Sequence, residues 1–164
     1  MIPPIFNETQ QFRQIWIWAI LLSVTAAGIA SVSYAVATQP NLSFVDILVP
    51  LALLLLVNAL FYSLKLTTRI TESSLSFRFK PFLGNRTYRF EDLESMEIIS
   101  YSGLKEFGGW GIKWNGSYWS YTTGETHGIL IKTKDKKFLL GTQKPEEAKQ
   151  AIAQFNEQKS RYGR

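Results

Sequence analysis

His127 is the only histidine of this 164-residue chain and there is no cysteine, so thiolate catalysis, disulfides and Cys- or His-rich metal sites are closed to it. An acid–base role for His127 needs a partner that no motif supplies, and it reads as a polar residue at a strand start. Glu91, Asp92 and Glu94 stand together, but acids in a Glu-Asp-Leu run before a strand are turn chemistry with exposed carboxylates. Gly108, Gly109 and Gly111 open a strand rather than a helix, with no Gly-Lys-Ser/Thr behind them, so they are not a phosphate loop. No catalytic residue, cofactor or metal is expected, and the chemistry that remains is non-covalent.

Residues 110–122, WGIKWNGSYWSYT, carry most of it. With Asn115-Gly116 as a two-residue turn, Trp114 faces Ser117, Ile112 faces Trp119 and Trp110 faces Tyr121 on one side, while Lys113 faces Tyr118 on the other. Such rings either pack into a core or, having an apolar body and a polar tip, form a contact surface; the sequence leaves both readings open. Arg78, Lys80, Arg86 and Arg89 cluster on neighbouring strands, as a solvated face or as a patch meeting anionic headgroups at about 1 kcal/mol per base. The candidate contact residues are those four bases with Trp110, Trp114, Tyr118, Trp119 and Tyr121. Aromatic strands with interleaved bases also describe nucleic-acid stacking platforms. No nucleic-acid partner is expected, because only a modest positive excess is present and the domain follows a membrane helix without a linker.

Two apolar runs fill the first 64 residues, Ile15 to Ala37 and Ile47 to Leu64. The first has no ionisable side chain and at ~1.5 Å per residue spans roughly 34 Å, enough for a bilayer core. The second extends outward through Phe44 and Val45, with Asp46 at the interface and Pro50 expected in the first turn. The joining TQPNLSFVD contains Pro40-Asn41 turn chemistry, so helices at about 15–37 and 45–64 form an antiparallel hairpin. Arg13, Lys65 and Arg69 flank a loop without a base, which places both termini in the cytoplasm. Ala35-Val36-Ala37 resembles a signal-peptide cleavage site, but the apolar run is too long and its leader too weakly basic. Within the hairpin, Ser23, Ala27, Ser31 and Ala35 recur every four residues as a small-residue stripe, and Asn58 is expected to face it and bond Ser23 or a backbone carbonyl.

Residues 65–164 hold seventeen of the 18 Lys and Arg and eleven of the 13 Asp and Glu, an excess of six positive charges on one domain of about 100 residues. Period-two alternation marks strands near 66–71, 75–80, 87–90 and 95–101, four antiparallel strands in succession. After an irregular stretch from Ser102 to Gly109 come the aromatic hairpin and strands at 128–133 and 137–140. Pro145, Glu146 and Glu147 then open an amphipathic helix with Ala148, Ala151, Ile152 and Phe155 on one face.

The helical hairpin, the hairpin from Leu66 to Phe82, Glu91-Asp92-Leu93, Gly108-Gly109-Trp110-Gly111-Ile112 and Gly141-Thr142-Gln143 before the last helix carry a resemblance. The chain resembles bacterial membrane proteins that place a pleckstrin-homology-like domain directly after two transmembrane helices. The resemblance implies an α+β membrane protein: a transmembrane hairpin over residues 1–64, then, over 65–164, a seven-stranded antiparallel open barrel or sandwich capped by a C-terminal helix. It implies no reaction. The corner Glu72-Ser73-Ser74 lacks the basic loop of phosphoinositide-binding members, so that mode is not expected. The expected role is a non-enzymatic binding or scaffolding module at the cytoplasmic face of a bacterial inner membrane. Its expected partner is a protein, the alternative being anionic lipid. The sequence sets no oligomeric state.

Overall fold

The computed structural model describes residues 4–162, apart from the side chains of 159, 161 and 162; the ends of the expected domains, at 1–3 and 163–164, lie outside the described residues. Two compact units divide the chain: Phe12–Leu64, and a β-rich unit in which the stretch up to Gln11 joins Lys65 onward. This corrects the expected boundary, which gave all of 1–64 to the hairpin. Strand β1 (Phe6–Gln11) pairs antiparallel with β2 (Lys65–Ile70), Phe6 opposite Ile70 and Gln11 opposite Lys65. The helices are thus inserted where a tight turn would otherwise join two neighbouring strands. Phe6, Glu8 and Gln10 alternate inward and are buried, but two of the three are polar, which hides the strand's hydrophobic period.

In the helical unit, α1 (Ile15–Thr38) and α2 (Phe44–Ser63) are both long and apolar enough to cross a membrane. Only 6% of the most apolar window of α1 and none of that of α2 is buried in the protein, whereas a soluble core helix hides its apolar face. Ser43 caps α2: its Oγ accepts from the Asp46 N–H at 3.3 Å while the Asp46 carboxylate accepts from the Ser43 N–H at 2.9 Å. Pro50 therefore sits in the second turn, one turn later than expected.

Leu21, Thr25, Gly28, Val32 and Ala35 of α1 are half-buried, as are Ile47, Pro50, Leu54, Asn58 and Phe61 of α2. Gly28 is the small residue that matters, since a Cβ there would lie 2.6 Å from Leu54 Cδ1. Asn58 Nδ2 donates to Thr25 Oγ1 at 2.9 Å and to the Leu54 carbonyl at 2.8 Å. The expected stripe is corrected: Ser23, Ala27 and Ser31 are exposed, and Asn58 meets Thr25 in place of Ser23. Residues spaced by four drift about 40° per step around a helix of ~3.6 residues per turn, while the mixed steps of 25, 28, 32 and 35 hold one face.

In the β-rich unit, β3 (Ser74–Lys80) and β4 (Leu83–Arg89) complete a first sheet of order β1-β2-β3-β4. A 3-10 turn at Phe90–Asp92 redirects the chain into β5 (Leu93–Ser100). The short helix α3 (Gly103–Phe107) follows, then β6 (Gly111–Trp114), β7 (Trp119–Thr122), β8 (His127–Thr133), β9 (Lys137–Thr142) and the helix α4 (Pro145–Tyr162). The second sheet has the order β5-β8-β9-β7-β6. The fold is mixed α and β with two sheets and no closed barrel.

Three expectations change. Nine strands, not seven, are present among the described residues. The expected fourth strand of the first run, β5, belongs to the second sheet, its place being taken by β1. The sheets are not all antiparallel, because β7 runs parallel to β9, with Trp119 opposite Phe138.

The core lies between the sheets, where Phe77 approaches Tyr121 at 4.9 Å and Phe138 at 5.3 Å between ring centroids. Leu66, Ile70, Leu75, Ile129, Ile131 and Leu140 are fully buried, each side chain contributing about 1.5–3 kcal/mol by leaving water. The other face of the second sheet is also covered: Leu130 and Leu139 pack with Tyr101 and Phe107 under α3. This explains why β8 and β9 read as unbroken apolar runs. The expected face of α4, with Ala148, Ala151, Ile152 and Phe155, is buried, Phe155 meeting Phe90 at 4.8 Å.

Candidate functional site

The sandwich is open where each sheet ends, and the opening between β4 and the β6–β7 hairpin is a cleft of about 650 Å³. Leu83, Arg86 and Tyr88 come from β4, Ile112 and Trp114 from β6, Trp119 and Tyr121 from β7, Asp135 and Lys136 from the turn before β9, and Lys137 and Phe138 from β9 itself. The hairpin register differs from the expected one. Trp114 pairs with Trp119 and Ile112 with Tyr121, two residues displaced, because Asn115 to Tyr118 form a four-residue loop. Asn115 Oδ1 organises it by accepting from the Ser117 and Tyr118 N–H groups, both at 3.0 Å. A shift of two keeps every side chain on its face, so the expected aromatic side survives.

That side is divided between core and solvent. Tyr121 is 7% exposed and forms the floor with Phe138 and Tyr88, whose rings lie 5.1 Å apart. Trp114 and Trp119 pack on each other at 5.6 Å yet remain 51% and 47% exposed, forming a wall. Cations line the rim: Lys136 Nζ stands 5.1 Å from the Tyr88 ring centroid, in cation–π range. Burial raises the Tyr121 phenol pKa, while the charges of Arg86 and Lys136 act in the opposite direction. The phenol therefore stays neutral at physiological pH, with both cations within electrostatic reach.

Of the nine residues singled out in the sequence, the cleft gathers Arg86, Trp114, Trp119 and Tyr121. Arg78, Lys80 and Arg89 are exposed on β3 and β4 outside it. Trp110 lies over Gly103, where a Cβ would come within 2.5 Å of its Nε1. Tyr118 turns to the other face of the second sheet, its ring 5.8 Å from Phe107 and under Lys137 Nζ at 5.1 Å. Leu83, Tyr88, Lys136, Lys137 and Phe138 were missed. The run Lys134-Asp135-Lys136-Lys137 is a visible charge signal in the sequence, at the junction of the strands expected at 128–133 and 137–140.

A second polar group is internal to the β-rich unit. Glu8 and Gln10 of β1 reach the end of β9: Thr142 Oγ1 and the Gln143 N–H donate to the Glu8 carboxylate at 2.7 and 2.9 Å, and Gln10 Nε2 donates to the Gly141 carbonyl at 2.6 Å. Glu125 accepts from the Thr123 hydroxyl, from the Thr123 N–H at 2.8 Å and from the Tyr101 hydroxyl at 3.5 Å. A Cβ at Gly141 would collide with the Glu125 carboxylate, so a side chain there would displace Glu125 from its donors. Burial raises the Glu8 pKa against the lowering effect of Thr142 and Gln143, and nearby Glu125 raises it further. Burial, then the Glu125 charge, pushes the Tyr101 phenol far up, so it remains a neutral donor. With both carboxylates supplied with internal donors, this network fastens the first sheet to the second.

His127 is exposed at the first position of β8, beside a smaller cleft of about 400 Å³ against α4. Asp92 accepts from the Arg89 N–H at 3.3 Å, and Glu94 pairs with Lys132 at 2.7 Å on the surface. Among the described residues, no three His, Asp or Glu side chains gather closely enough to hold a metal ion. No family model matches the chain, and no curated protein and no solved structure matches it either.

Proposed function

We propose that this chain is a non-enzymatic binding module, held by its helical hairpin at the cytoplasmic face of a bacterial inner membrane, that recruits a partner protein through the cleft between β4 and the β6–β7 hairpin. The observation that carries the reading is the cleft itself: an aromatic floor, a half-exposed pair of tryptophans and the cations Arg86 and Lys136 on the rim. Half-exposed Trp beside Arg is the composition of interface anchors. A four-strand meander, a three-strand meander of β5, β8 and β9, and a closing helix follow the order of a pleckstrin-homology-like domain. On that reading β6–β7 is an added hairpin, and the cleft exists because of it.

The membrane topology draws on connectivity. Gln11 and Lys65 are partners in one strand pair, so the chain enters and leaves the helical hairpin at the same end of that pair. Arg13, Lys65 and Arg69 lie near those connections, while the loop between the helices has no base. Cleavage after Ala37 would remove β1 with Glu8 and Gln10, which argues for a retained hairpin. Anionic-lipid recognition is the second reading, favoured by the exposed Arg78, Lys80 and Arg89 outside the cleft.

The test is a photo-crosslinking amino acid at position 114 or 119 in intact membranes. A discrete protein adduct that disappears in Arg86→Glu is the expected result. Lipid adducts alone would replace the first reading by the second, and reporter fusions showing a periplasmic C-terminus would overturn the topology.

A further inference from the structure

We infer that the cleft takes an extended acidic segment of the partner, which adds as a strand to the outer edge of β4 with its carboxylates toward Arg86 and Lys136. This rests on the protein-binding reading above and specifies the ligand. Both sides of the cleft are terminal strands, β4 of the first sheet and β6 of the second, so their outer backbone edges have no sheet neighbour among the described residues. Such an edge is a template for main-chain pairing with an incoming peptide. Seven-residue β4 is the longer of the two, and its residues 84–87 are exposed throughout. Its hydrophobic potential is blunted by Gly84, Asn85, Arg86 and Arg89, which discourages pairing with another apolar edge and favours an oppositely charged one.

Charge and shape make the same selection. Arg86 and Lys136 face the cleft against one acid, Asp135, and neither is in an ion pair among the described residues; Lys137 lines it too, but its ammonium lies over Tyr118 on the other face. An extended strand presents alternate side chains to opposite sides, so acids can meet the rim while apolar residues rest on Trp114 and Trp119. A lipid phosphate would satisfy the cations but leave the strand edges unpaired. The observations therefore favour peptide over headgroup.

The experiment uses the full chain in phosphatidylcholine nanodiscs and a pooled nonapeptide library in which Asp or Glu alternates with Val, Ile, Leu or Phe. Binding is read by fluorescence anisotropy. The acidic pool should bind, weakening with salt, and the same pool with Lys for the acids should not. Backbone N-methylation of the pool, which removes the donors of strand pairing, should weaken binding roughly tenfold or more. Arg86→Glu should abolish it; Lys136→Glu, in the exposed turn before β9, should do likewise and guards against misfolding of the first variant. No binding by the acidic pool, or equal binding by its N-methylated form, overturns the strand-addition proposal. In either case, a membrane protein adduct at position 119 that still depends on Arg86 leaves the protein-binding reading standing. Vesicles of phosphatidylglycerol that bind in an Arg86-dependent way while the pool does not would overturn both.

Discussion

Two sets of polar side chains in the β-rich unit meet opposite fates. Glu8 and Glu125 are buried and accept from named hydroxyl and N–H donors, whereas Arg86 and Lys136 stand exposed at the aromatic cleft without an ion pair among the described residues. A buried charge whose hydrogen bonds are complete is committed to the fold, since removing its partners leaves groups that water cannot reach. An exposed charge beside uncovered aromatic surface keeps its interactions available for a ligand. The same division runs through the aromatic hairpin, with Tyr121 on the core side and Trp119 on the open side.

The largest effect that could break this contrast is within that hairpin. Tyr121→Ala should cost about 3–5 kcal/mol, the range for a buried aromatic, and Trp119→Ala about 1 kcal/mol or less while abolishing partner capture. Thermal unfolding of the sheet signal, with the full chain in nanodiscs, measures both. Equal losses would mean that Trp119 is core and the cleft is not a cleft. Next in size, Glu125→Ala takes from the Thr123 N–H and the Tyr101 hydroxyl the carboxylate they donate to and leaves the Thr123 hydroxyl only its contact with Gln10, and a loss of about 3 kcal/mol is expected. Arg86→Ala, by contrast, should stay within about 0.5 kcal/mol.

A pH series sharpens the comparison further. Burial holds the Glu8 carboxyl above the usual carboxylate range, so the folded chain keeps a proton at a pH where the unfolded chain has lost it. Its contribution to stability is therefore fully present below the ordinary carboxylate pKa and is lost as pH rises through the higher folded value. The difference in unfolding midpoint between the parent chain and Glu8→Gln should change across that window and be flat above it. A constant difference at every pH would show that Glu8 does not titrate in the fold as described.

Much of the chain was legible because its signals are local. Apolar runs mark α1 and α2, period two marks β2 and β3, and helical spacing of Ala148, Ala151, Ile152 and Phe155 marks the inner face of α4. What was hidden depends on partners distant in sequence. Strand β1 carries Glu8 and Gln10 inward, and their suitability is visible only once Gly141, Thr142 and Thr123 are brought beside them. The cleft was half legible: the rings and Arg86 were singled out, but Lys136, Phe138 and Tyr88 join them only through the ordering of two sheets. Asn115-Gly116 named the right turn and the wrong loop length, because a side-chain acceptor at Asn115 stabilises four residues as readily as two.

The smallest expected loss concerns the helical unit, where one polar contact stands in an otherwise apolar face and, unlike Arg86, is removed at a measurable cost. Thr25 donates its hydroxyl to the Leu21 carbonyl at 2.7 Å, which leaves its oxygen free to accept from Asn58. Asn58 also bonds the Leu54 carbonyl of its own helix, so Asn58→Leu removes one interhelical bond and leaves no buried donor behind. The expected loss is about 0.6 kcal/mol, the average for such bonds between membrane helices. Gly28→Leu should do more harm, because its side chain would occupy the space that Leu54 fills. Cysteine pairs decide the register without depending on stability: 25 with 58 should crosslink within one chain and 23 with 58 should not. The reverse pattern would restore the stripe of Ser23, Ala27 and Ser31 as the packing face and move Gly28 to the lipid.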